Sequence, residues 1–405
     1  MTAVSKFRKQ VETADTGPWL VCRLPGIFCI ALLIAACGGG NSSKVNDAGS
    51  AADGNLTTVL ETARSGHGIP ALAAVLIQNG AIIEIGAVGT RVVDGQEAVT
   101  TVDQWHLGSI TKSMTSTLLA VLIERELLDW NTTVAEVLLA DIPDMRNEYR
   151  DVRVEQLMAH TGGLAVDITR SPAFQAGDIN DTSQLSMTEK RLLWSADLLR
   201  LPPDASIGTH LYSNANYIVL GAIIEKVTGE LWEDLMDREL FAPLEMFQTG
   251  FGPPGISGMR IQPWGHVSQD GKWEPIDPGS FDADSTLALG PAGTIHSTLR
   301  DFSMYLAAHL AGERGNDGLL RSSTFVRLHA SQIGTDYAGG WVVNSNGWAG
   351  SRSFWHNGSN GRWFAHTVIA PDRNAGVLVV TNSGSRAAVE EVIGVMIRRF
   401  EAMPN

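Results

Sequence analysis

The chain has 405 residues, of which 44% are hydrophobic, and its formal net charge is −14. This length and composition allow one large or two medium domains with a sizeable core, so disorder is not expected. The acidic balance argues against nucleic acid or an anionic membrane face as a partner. All three cysteines precede residue 38, and C-x-x-C, H-E-x-x-H and phosphate-loop motifs do not occur. We therefore expect no disulfide in the folded body, no metal and no cofactor.

The N-terminal segment has the composition of a targeting sequence. Residues 1–36 combine a basic opening with an apolar run of about ten residues, which is too short to span a bilayer. The run ends in Ile-Ala-Ala before Cys37, which resembles a bacterial lipobox. The resemblance implies a cleaved signal peptide and a lipid anchor on Cys37. Gly38, rather than Asp, then implies the outer membrane, facing the periplasm. Residues 37–54, rich in Gly, Ser and Asn, predict a flexible tether.

The folded body is predicted to begin with a helix from about Leu56 to Arg64. Two apolar runs, residues 71–78 and 81–88, then flank Asn79-Gly80. This dipeptide favours a type I′ turn, so the segment predicts a β-hairpin.

Helical spacing dominates the next part of the chain, from Ile110 to about Glu239. Apolar residues recur every three or four positions in SITKSMTSTLLAVLIERELL, and NYIVLGAIIEKVTG ends at Gly229, a typical C-cap. From about Gly250 to Asp284 there is little periodicity, which predicts a loop at the rim of a site.

The C-terminal part returns to strands. A helix is predicted after Thr298, through about Leu310, and a final helix from about Ala387 to Phe400. The strands predicted between them are 340–343, 353–356, 363–370 and 376–381. Strands at both ends with helices between them predict an α+β fold, in which an antiparallel sheet packed by terminal helices receives an all-helical insertion. We expect one domain over 55–402, its α/β part at about 55–100 and 290–402 and its helical part at about 101–289.

Ser109 and Lys112 form an S-x-x-K motif at the start of the first long helix of the predicted insertion. Residues three apart share a helix face, so the amine of Lys112 can reach the hydroxyl of Ser109. Unpaired N–H groups at a helix start would also stabilise an oxyanion. The alternative is an N-cap serine with a solvated lysine, because a chain this long contains roughly one S-x-x-K by chance.

Two later motifs favour the catalytic interpretation. Tyr212-Ser213-Asn214 precedes a second apolar helix, and His356-Asn357-Gly358-Ser359 lies in a predicted strand. In this order the three motifs resemble those of the serine β-lactamases and penicillin-binding proteins, in the branch of class C β-lactamases, DD-peptidases and esterases. The loop from Gln156 to Leu164 is similar to one in this branch, and the resemblance covers residues 55–400.

The resemblance implies a role for each motif residue. Ser109 would be acylated, with Lys112 and Tyr212 exchanging its proton as a pair. Asn214 would bind the amide of a substrate's acyl side chain, and the N–H groups of Ser109 and Ser359 would bind the oxyanion.

The H-x-G motif, which ends in Gly358, departs from the relatives in its first residue. His356 replaces a lysine of many relatives and would face a substrate carboxylate, with a charge only below its ordinary pKa near 6.5. We interpret His160 and His366 as packing or capping residues. No G-x-S-x-G elbow occurs.

Two functions fit these residues, and both act on a small-molecule or peptidyl substrate. One is a serine hydrolase of esters, D-residue peptides or β-lactams, which releases its acyl group to water. The alternative is a penicillin-binding or acyl-sensing module that acylates but hardly deacylates. Because His356 offers little charge at pH 7, we predict faster turnover of esters and D-residue peptides than of cephalosporins.

Overall fold

The computed structural model describes residues 55–332, 334–345 and 347–402. The predicted signal peptide, Cys37 and the tether lie outside the described residues. The strands are β1 (Ala71–Gln78), β2 (Ala81–Gly89), β3 (Gln104–His106), β4 (Gly250–Phe251), β5 (Gly265–Gln269), β6 (Lys272–Ile276), β7 (Ile295–Thr298), β8 (Tyr337–Ala338), β9 (Trp341–Asn344), β10 (Ser353–Ser359), β11 (Phe364–Ala370) and β12 (Ala375–Thr381).

The α-helices are α1 (Leu56–Gly66), α2 (Thr111–Glu124), α3 (Val134–Leu138), α4 (Asn147–Arg150), α5 (Val154–Met158), α6 (Pro172–Ala176), α7 (Met187–Arg200), α8 (Asn214–Thr228), α9 (Trp232–Met236), α10 (Gly290–Gly293), α11 (Leu299–Glu313), α12 (Ser322–Leu328) and α13 (Arg386–Ala402). A 3₁₀ turn, Gly108–Ile110, leads directly into α2. Within the described residues, no helix is both long and apolar enough to cross a membrane.

The main sheet has seven antiparallel strands in the order β2-β1-β12-β11-β10-β9-β8. Strand β1 pairs with its hairpin partner β2 and also with β12, where Leu72 lies opposite Thr381. The two ends of the body therefore share one sheet. This confirms the predicted α+β fold with an antiparallel sheet and terminal helices.

Helices cover both faces of the sheet, and β1 shows why its sequence is apolar throughout. Its alternate residues enter two different cores, because successive side chains of a strand point to opposite faces. Leu72, Ala74 and Leu76 pack with residues of α1 and α13. Ala73, Val75 and Ile77 pack in the larger core, which includes α2 and α11. Burial on both faces removes the alternation of polar residues that a half-exposed strand would show.

The predicted β1–β2 hairpin is confirmed. Asn79 and Gly80 have φ values of 53° and 76°, as a type I′ turn requires. The same chemistry occurs at Asp270-Gly271, with φ values of 51° and 76°, where β5 pairs with β6. The prediction of a loop throughout Gly250–Asp284 is therefore wrong for this hairpin. Its strands carry many polar residues and lack a clear alternation, so only the turn dipeptide indicated them.

The insertion is mainly helical but also contains short strands, which the sequence did not predict. Strands β3 and β4 flank β7 in a small sheet. This sheet holds the start of the insertion against its end. Helix α2 lies at the centre of the molecule, and its residues Thr111–Leu122 are all buried. The β8–β9 turn approaches α2 so closely that a Cβ on Gly340, which has φ +82°, would lie 2.3 Å from the backbone nitrogen of Ser113.

Candidate active site

Ser109 lies in the 3₁₀ turn that precedes α2. It stands one residue before Ile110, which is the N-cap of that helix. It is half-buried, whereas Lys112 is completely buried. The Nζ atom of Lys112 lies 3.0 Å from Oγ of Ser109 and donates to the carbonyl oxygen of Ala292 at 2.8 Å. The alternative of a solvated Lys112 is therefore wrong. Its amine is held against the hydroxyl by the backbone of α10.

Strand β10 lies against the Ser109 turn with no room for side chains between them. A Cβ on Gly358 would lie 2.0 Å from the carbonyl oxygen of Leu107 and 2.6 Å from the nitrogen of Ser109. A Cβ on Gly108 would lie 2.3 Å from the nitrogen of Ser359. The two backbone segments that the resemblance assigns to oxyanion binding are thus adjacent in the fold.

Tyr212 reaches the same place from the segment before α8, and Asn214 follows it at the first position of that helix. The ring centroid of Tyr212 lies 4.9 Å from Nζ of Lys112, and the ring is half-buried. Ser213 caps the helix, since its hydroxyl accepts a hydrogen bond from the backbone N–H of Ala215. Asn214 is therefore the first helical residue and not the cap.

Two further tyrosines are buried nearby, Tyr217 beside Lys112 and Tyr337 beside Tyr212. The ring of Tyr217 lies 5.7 Å from Nζ of Lys112, and that of Tyr337 lies 6.2 Å from the ring of Tyr212. Burial raises the pKa of Tyr217 and of Tyr337 well above the usual value of 10. Both phenols stay protonated at ordinary pH, and the half-buried Tyr212 is the tyrosine in reach of a substrate.

His356 is buried on β10, and both of its ring nitrogens have partners. Nδ1 donates to the carbonyl oxygen of Asn357, since a carbonyl can only accept. Nε2 consequently accepts from the hydroxyl of Tyr337 at 2.9 Å. Burial, followed by the positive charge of Lys112, lowers the pKa of His356 to about 3. The expectation of a ring that charges near pH 6.5 is therefore wrong, because that value applies to a histidine in water.

His160 packs against Tyr212, with ring centroids 4.3 Å apart. Its Nδ1 accepts from the backbone N–H of Ser213 and from the side-chain amide of Asn216, both at 3.3 Å. Burial is the main reason that its pKa lies well below 6.5. His160 therefore holds the segment that carries Tyr212. In the sequence, only the resemblance of the loop from Gln156 to Leu164 to a loop of the family indicated that His160 lies near the site.

His366 lies on the other face of the main sheet. It pairs with Asn357 across β10 and β11, whereas His356 pairs with Thr367. Directly opposed residues of antiparallel strands share a face, and neighbours along a strand do not. The ring of His366 packs near Trp355 instead, with centroids 5.3 Å apart.

The site therefore combines a half-buried hydroxyl, a buried amine and a phenol at one junction between the sheet and the insertion. Such an arrangement can take up a proton from a serine that attacks a carbonyl. In the described part of the chain, no group of three or more His, Cys, Asp or Glu side chains could hold a metal ion. The sequence did not single out Tyr337, His106 or Asp284, and the last two are considered below.

The fold is that of the serine-active, penicillin-recognising class of proteins. The chain matches the beta-lactamase family over residues 56–395. It belongs to that family, as the three motifs predicted.

Among relatives, penicillin-binding protein 4 of Amycolatopsis lactamdurans is 27% identical over 336 residues, 79% of this chain and 83% of that protein. Protein flp of Staphylococcus aureus strain MW2 is 23% identical over 82% of this chain, which spans only 63% of flp.

Solved structures show the same fold. EstCE1, described as a hydrolase with promiscuous acyltransferase activity, superposes with a TM-score of 0.68 at 20% identity, over 85% of this chain and 97% of EstCE1. A D-stereospecific amidohydrolase from Streptomyces sp. superposes with a TM-score of 0.64 at 22% identity, over 84% of this chain and 96% of the amidohydrolase.

Proposed function

We propose that this protein is a serine hydrolase that forms an acyl-enzyme on Ser109. The observation that carries the proposal is the buried amine of Lys112, held 3.0 Å from Oγ of the half-buried Ser109. Family membership supports a hydrolase of this kind.

The reaction follows from the groups around that hydroxyl. As Oγ of Ser109 bonds to the substrate carbonyl carbon, its proton passes to the deprotonated member of the pair, which is either the neutral amine of Lys112 or the phenolate of Tyr212 beside charged Lys112. The leaving alcohol or amine takes that proton as its bond to carbon breaks, which leaves an ester on Ser109. Water then attacks this ester and gives one proton to the same pair. The pair returns that proton to Oγ of Ser109 as the bond between Oγ and the acyl carbon breaks, and the acid is released. Lys112 and Tyr212 thus act as general base and acid in both halves.

Charge that develops on the carbonyl oxygen would be stabilised by the N–H groups of Ser109 and Ser359. The close approach of β10 to the Ser109 turn supports this role. Asn214, partly exposed at the first position of α8, would bind the acyl side of the substrate through its amide.

For the substrate, we propose esters, and D-residue peptides whose terminal carboxylate is absent or blocked, before β-lactams with a free carboxylate. His356 is neutral and uses both ring nitrogens within the protein, so it offers a carboxylate neither charge nor a free donor. The lysine of many relatives at this position would supply a cation. The descriptions of EstCE1 and the Streptomyces amidohydrolase, which share the fold, are in line with this substrate class.

A fluorophosphonate probe tests the nucleophile. We expect its mass on the peptide that contains Ser109, and complete loss of labelling in Ser109→Ala. Ser195→Ala, a buried serine of α7, is the control for general loss of structure and should label normally. Label that persists in Ser109→Ala would disprove the assignment.

The fate of the acyl group separates hydrolase from binding module. An ester, a D-Ala-D-Ala peptide and a chromogenic cephalosporin should be compared under the same conditions. We expect sustained turnover of at least one of the first two. A burst of one equivalent followed by no steady state, for all three, would establish the acyl-sensing alternative instead.

We also propose that Cys37 carries a lipid anchor in a bacterial cell envelope, at the outer membrane. The Ile-Ala-Ala-Cys sequence and the polar tether after it support this. Cys37→Ala should be soluble or unprocessed in cell fractionation. A variant of wild-type size that still sediments with membranes would contradict the proposal.

A further inference from the structure

A buried carboxylate links the two backbone segments at the proposed oxyanion site. His106, the last residue of β3, stands two residues before Gly108. Its Nδ1 accepts from the backbone N–H of Gly108 at 3.1 Å. A nitrogen that accepts carries no proton, so the proton of the neutral ring is on Nε2. Nε2 therefore donates to Oδ2 of Asp284 at 2.7 Å.

The second oxygen of Asp284 binds the other segment. Oδ1 accepts from the side-chain amide of Asn360 at 2.9 Å, and Asn360 directly follows Ser359 at the end of β10. The amide oxygen of Asn360 in turn accepts from the backbone N–H groups of Arg362 and Trp363, at 3.1 Å and 3.2 Å. Asn360 thus fixes the bend that ends β10.

All members of this network are withdrawn from solvent. His106 is 1% exposed, Asn360 6% and Asp284 9%. A buried carboxylate is costly unless it is hydrogen-bonded and paired. Here it has donors on both oxygens, and the buried Arg362 is close enough to act on it electrostatically. The side chain of Asp284 therefore joins His106, 178 positions earlier in the chain, to Asn360, 76 positions later.

The backbone turn at Gly108, which this network holds, has little room to change its conformation. Gly108 has φ +51°, and its Cα lies against the nitrogen of Ser359, as the 2.3 Å approach of an added Cβ shows. The N–H of Gly108 is bound by His106, so rotation of the turn would break the link to Asp284. Each arm of Asp284 therefore contacts a residue next to one of the two segments that carry the N–H groups of Ser109 and Ser359.

We propose that Asp284 is a positioning residue of the oxyanion site, which clamps the nucleophile turn through His106 and the end of β10 through Asn360. The proposal rests on the proposed function, because it assigns both N–H groups to the transition state. Asp284 itself contacts no substrate. Its loss should slow acylation and leave substrate binding nearly unchanged.

The test is the fluorophosphonate reaction, separated into probe binding and the first-order step that follows. In Asp284→Asn the arm to His106 must fail. Oδ1 also accepts from the backbone N–H of Ser285 at 2.8 Å, so the amide oxygen stays on the Asn360 side and the amide nitrogen, a donor, faces Nε2–H of His106. We expect the first-order rate constant to fall about 100-fold, the usual effect of misplacing one oxyanion donor. The probe concentration at half-maximal rate should change less than threefold.

The control is Asp197→Asn, which removes a comparable buried carboxylate from the insertion. Asp197 is 8% exposed and accepts from the hydroxyl of Ser171 and the N–H of Ala173, at 2.7 Å and 2.8 Å. It should lower the melting temperature without changing the acylation rate constant. An equal loss of acylation in both variants would mean general destabilisation and would overturn the proposal.

Substitutions of His106 keep the proposal testable should Asp284→Asn fold poorly. His106→Asn retains an acceptor near Nδ1 for Gly108 but cannot reach Asp284. We expect about the loss seen in Asp284→Asn, and no further loss in the double variant, because one chain of contacts is broken in each.

Failure of the proposed function can be distinguished from failure of the Asp284 clamp. If Ser109→Ala still labels, the proposed function is wrong. If Ser109→Ala abolishes labelling while Asp284→Asn and His106→Asn react at the wild-type rate, the hydrolase stands and the clamp does not exist. Multiplied losses in the double variant would also overturn the clamp, since they indicate independent roles.

Discussion

At the scale of single residues, burial decides the chemistry of the site more than residue type does. Lys112 and His356 are both ionisable, and both lie within the fold with their polar atoms bound to protein groups. The histidine that replaces a lysine in this family is consequently not a weaker cation. It is a neutral acceptor for Tyr337, and it shapes the site through that bond.

This difference predicts how substrate preference depends on pH. We expect the ratio of cephalosporin to ester acylation to stay constant within a factor of two from pH 8 to pH 5. The pKa of His356 is about 3, so its charge does not change in this range, and effects on Lys112 and Tyr212 cancel in the ratio. The measurement is kcat/KM for both substrates across that range.

His356→Lys is the matched variant for that measurement. A lysine at this position should raise the ratio at pH 7 about tenfold or more, as a charged hydrogen bond to the carboxylate contributes about 1.5–3 kcal/mol. A wild-type ratio that rises severalfold between pH 7 and pH 5.5 would show that His356 charges after all.

At the scale of elements, the site depends on two backbones in direct contact. The 3₁₀ turn before α2 and strand β10 come from opposite ends of the chain, and glycines at both sides allow the approach. Neither element could be shifted without moving the other. The motif glycine of H-x-G is therefore a steric requirement as well as a family signature.

Gly358→Ala should abolish most activity. Its Cβ would overlap the carbonyl oxygen of Leu107 at 2.0 Å, which the backbone can relieve only by moving the Ser109 turn. A displacement of about 1 Å at the reacting atoms costs on the order of 100-fold in rate. Fluorophosphonate labelling at a fixed time checks this directly.

Gly394→Ala provides the comparison for that variant. This glycine lies inside α13, and an added Cβ there meets only the end of Arg398, at 3.6 Å. We expect unchanged labelling and a gain of about 0.5–1 kcal/mol in stability. Equal labelling of Gly358→Ala and Gly394→Ala would refute the steric argument.

At the scale of the whole molecule, neutral histidines are part of the folded structure. Burial lowers the pKa of seven described histidines: His160, His266, His296, His309, His329, His356 and His366. His266, with a pKa of about 4, shows the reason. Its Nε2 accepts from the N–H of Val93, a bond that protonation would break.

Stability should therefore fall as the pH decreases from 6.5 towards 4. Unfolded histidines bind protons below about 6.5, whereas the folded ones remain neutral, so the unfolded state takes up more protons and the free energy of unfolding decreases. A histidine whose folded pKa is about 4, such as His266, contributes a loss of roughly 1 kcal/mol between pH 7.5 and pH 5.5. Denaturant unfolding at pH 7.5 and 5.5 measures the total.

A substitution of His266 isolates the contribution of one histidine to this pH dependence of stability. His266→Asn should reduce the difference in unfolding free energy between the two pH values by roughly 1 kcal/mol, whatever its effect at pH 7.5. If unfolding free energies at pH 7.5 and 5.5 agree within error in the wild type, these histidines are not buried in the neutral form.

The features that the sequence determined by itself are those set by near neighbours. The spacing of Ser109 and Lys112 follows from helical geometry, and the β1–β2 hairpin follows from Asn79-Gly80 and its flanking runs. The order of the three motifs indicated the family and, with it, the α+β fold. In each case the interacting residues lie within a few positions, or the pattern is a family signature.

Tertiary structure alone decided what depends on distant partners. The neutral state of His356 requires burial and the hydroxyl of Tyr337, 19 residues away. The link between His106 and Asp284 crosses 178 positions, and no local pattern records it. Hydrogen-bond geometry and the exclusion of water are properties of the assembled core. They arise from the contacts between β10, α2 and the end of the insertion, which are far apart in the sequence.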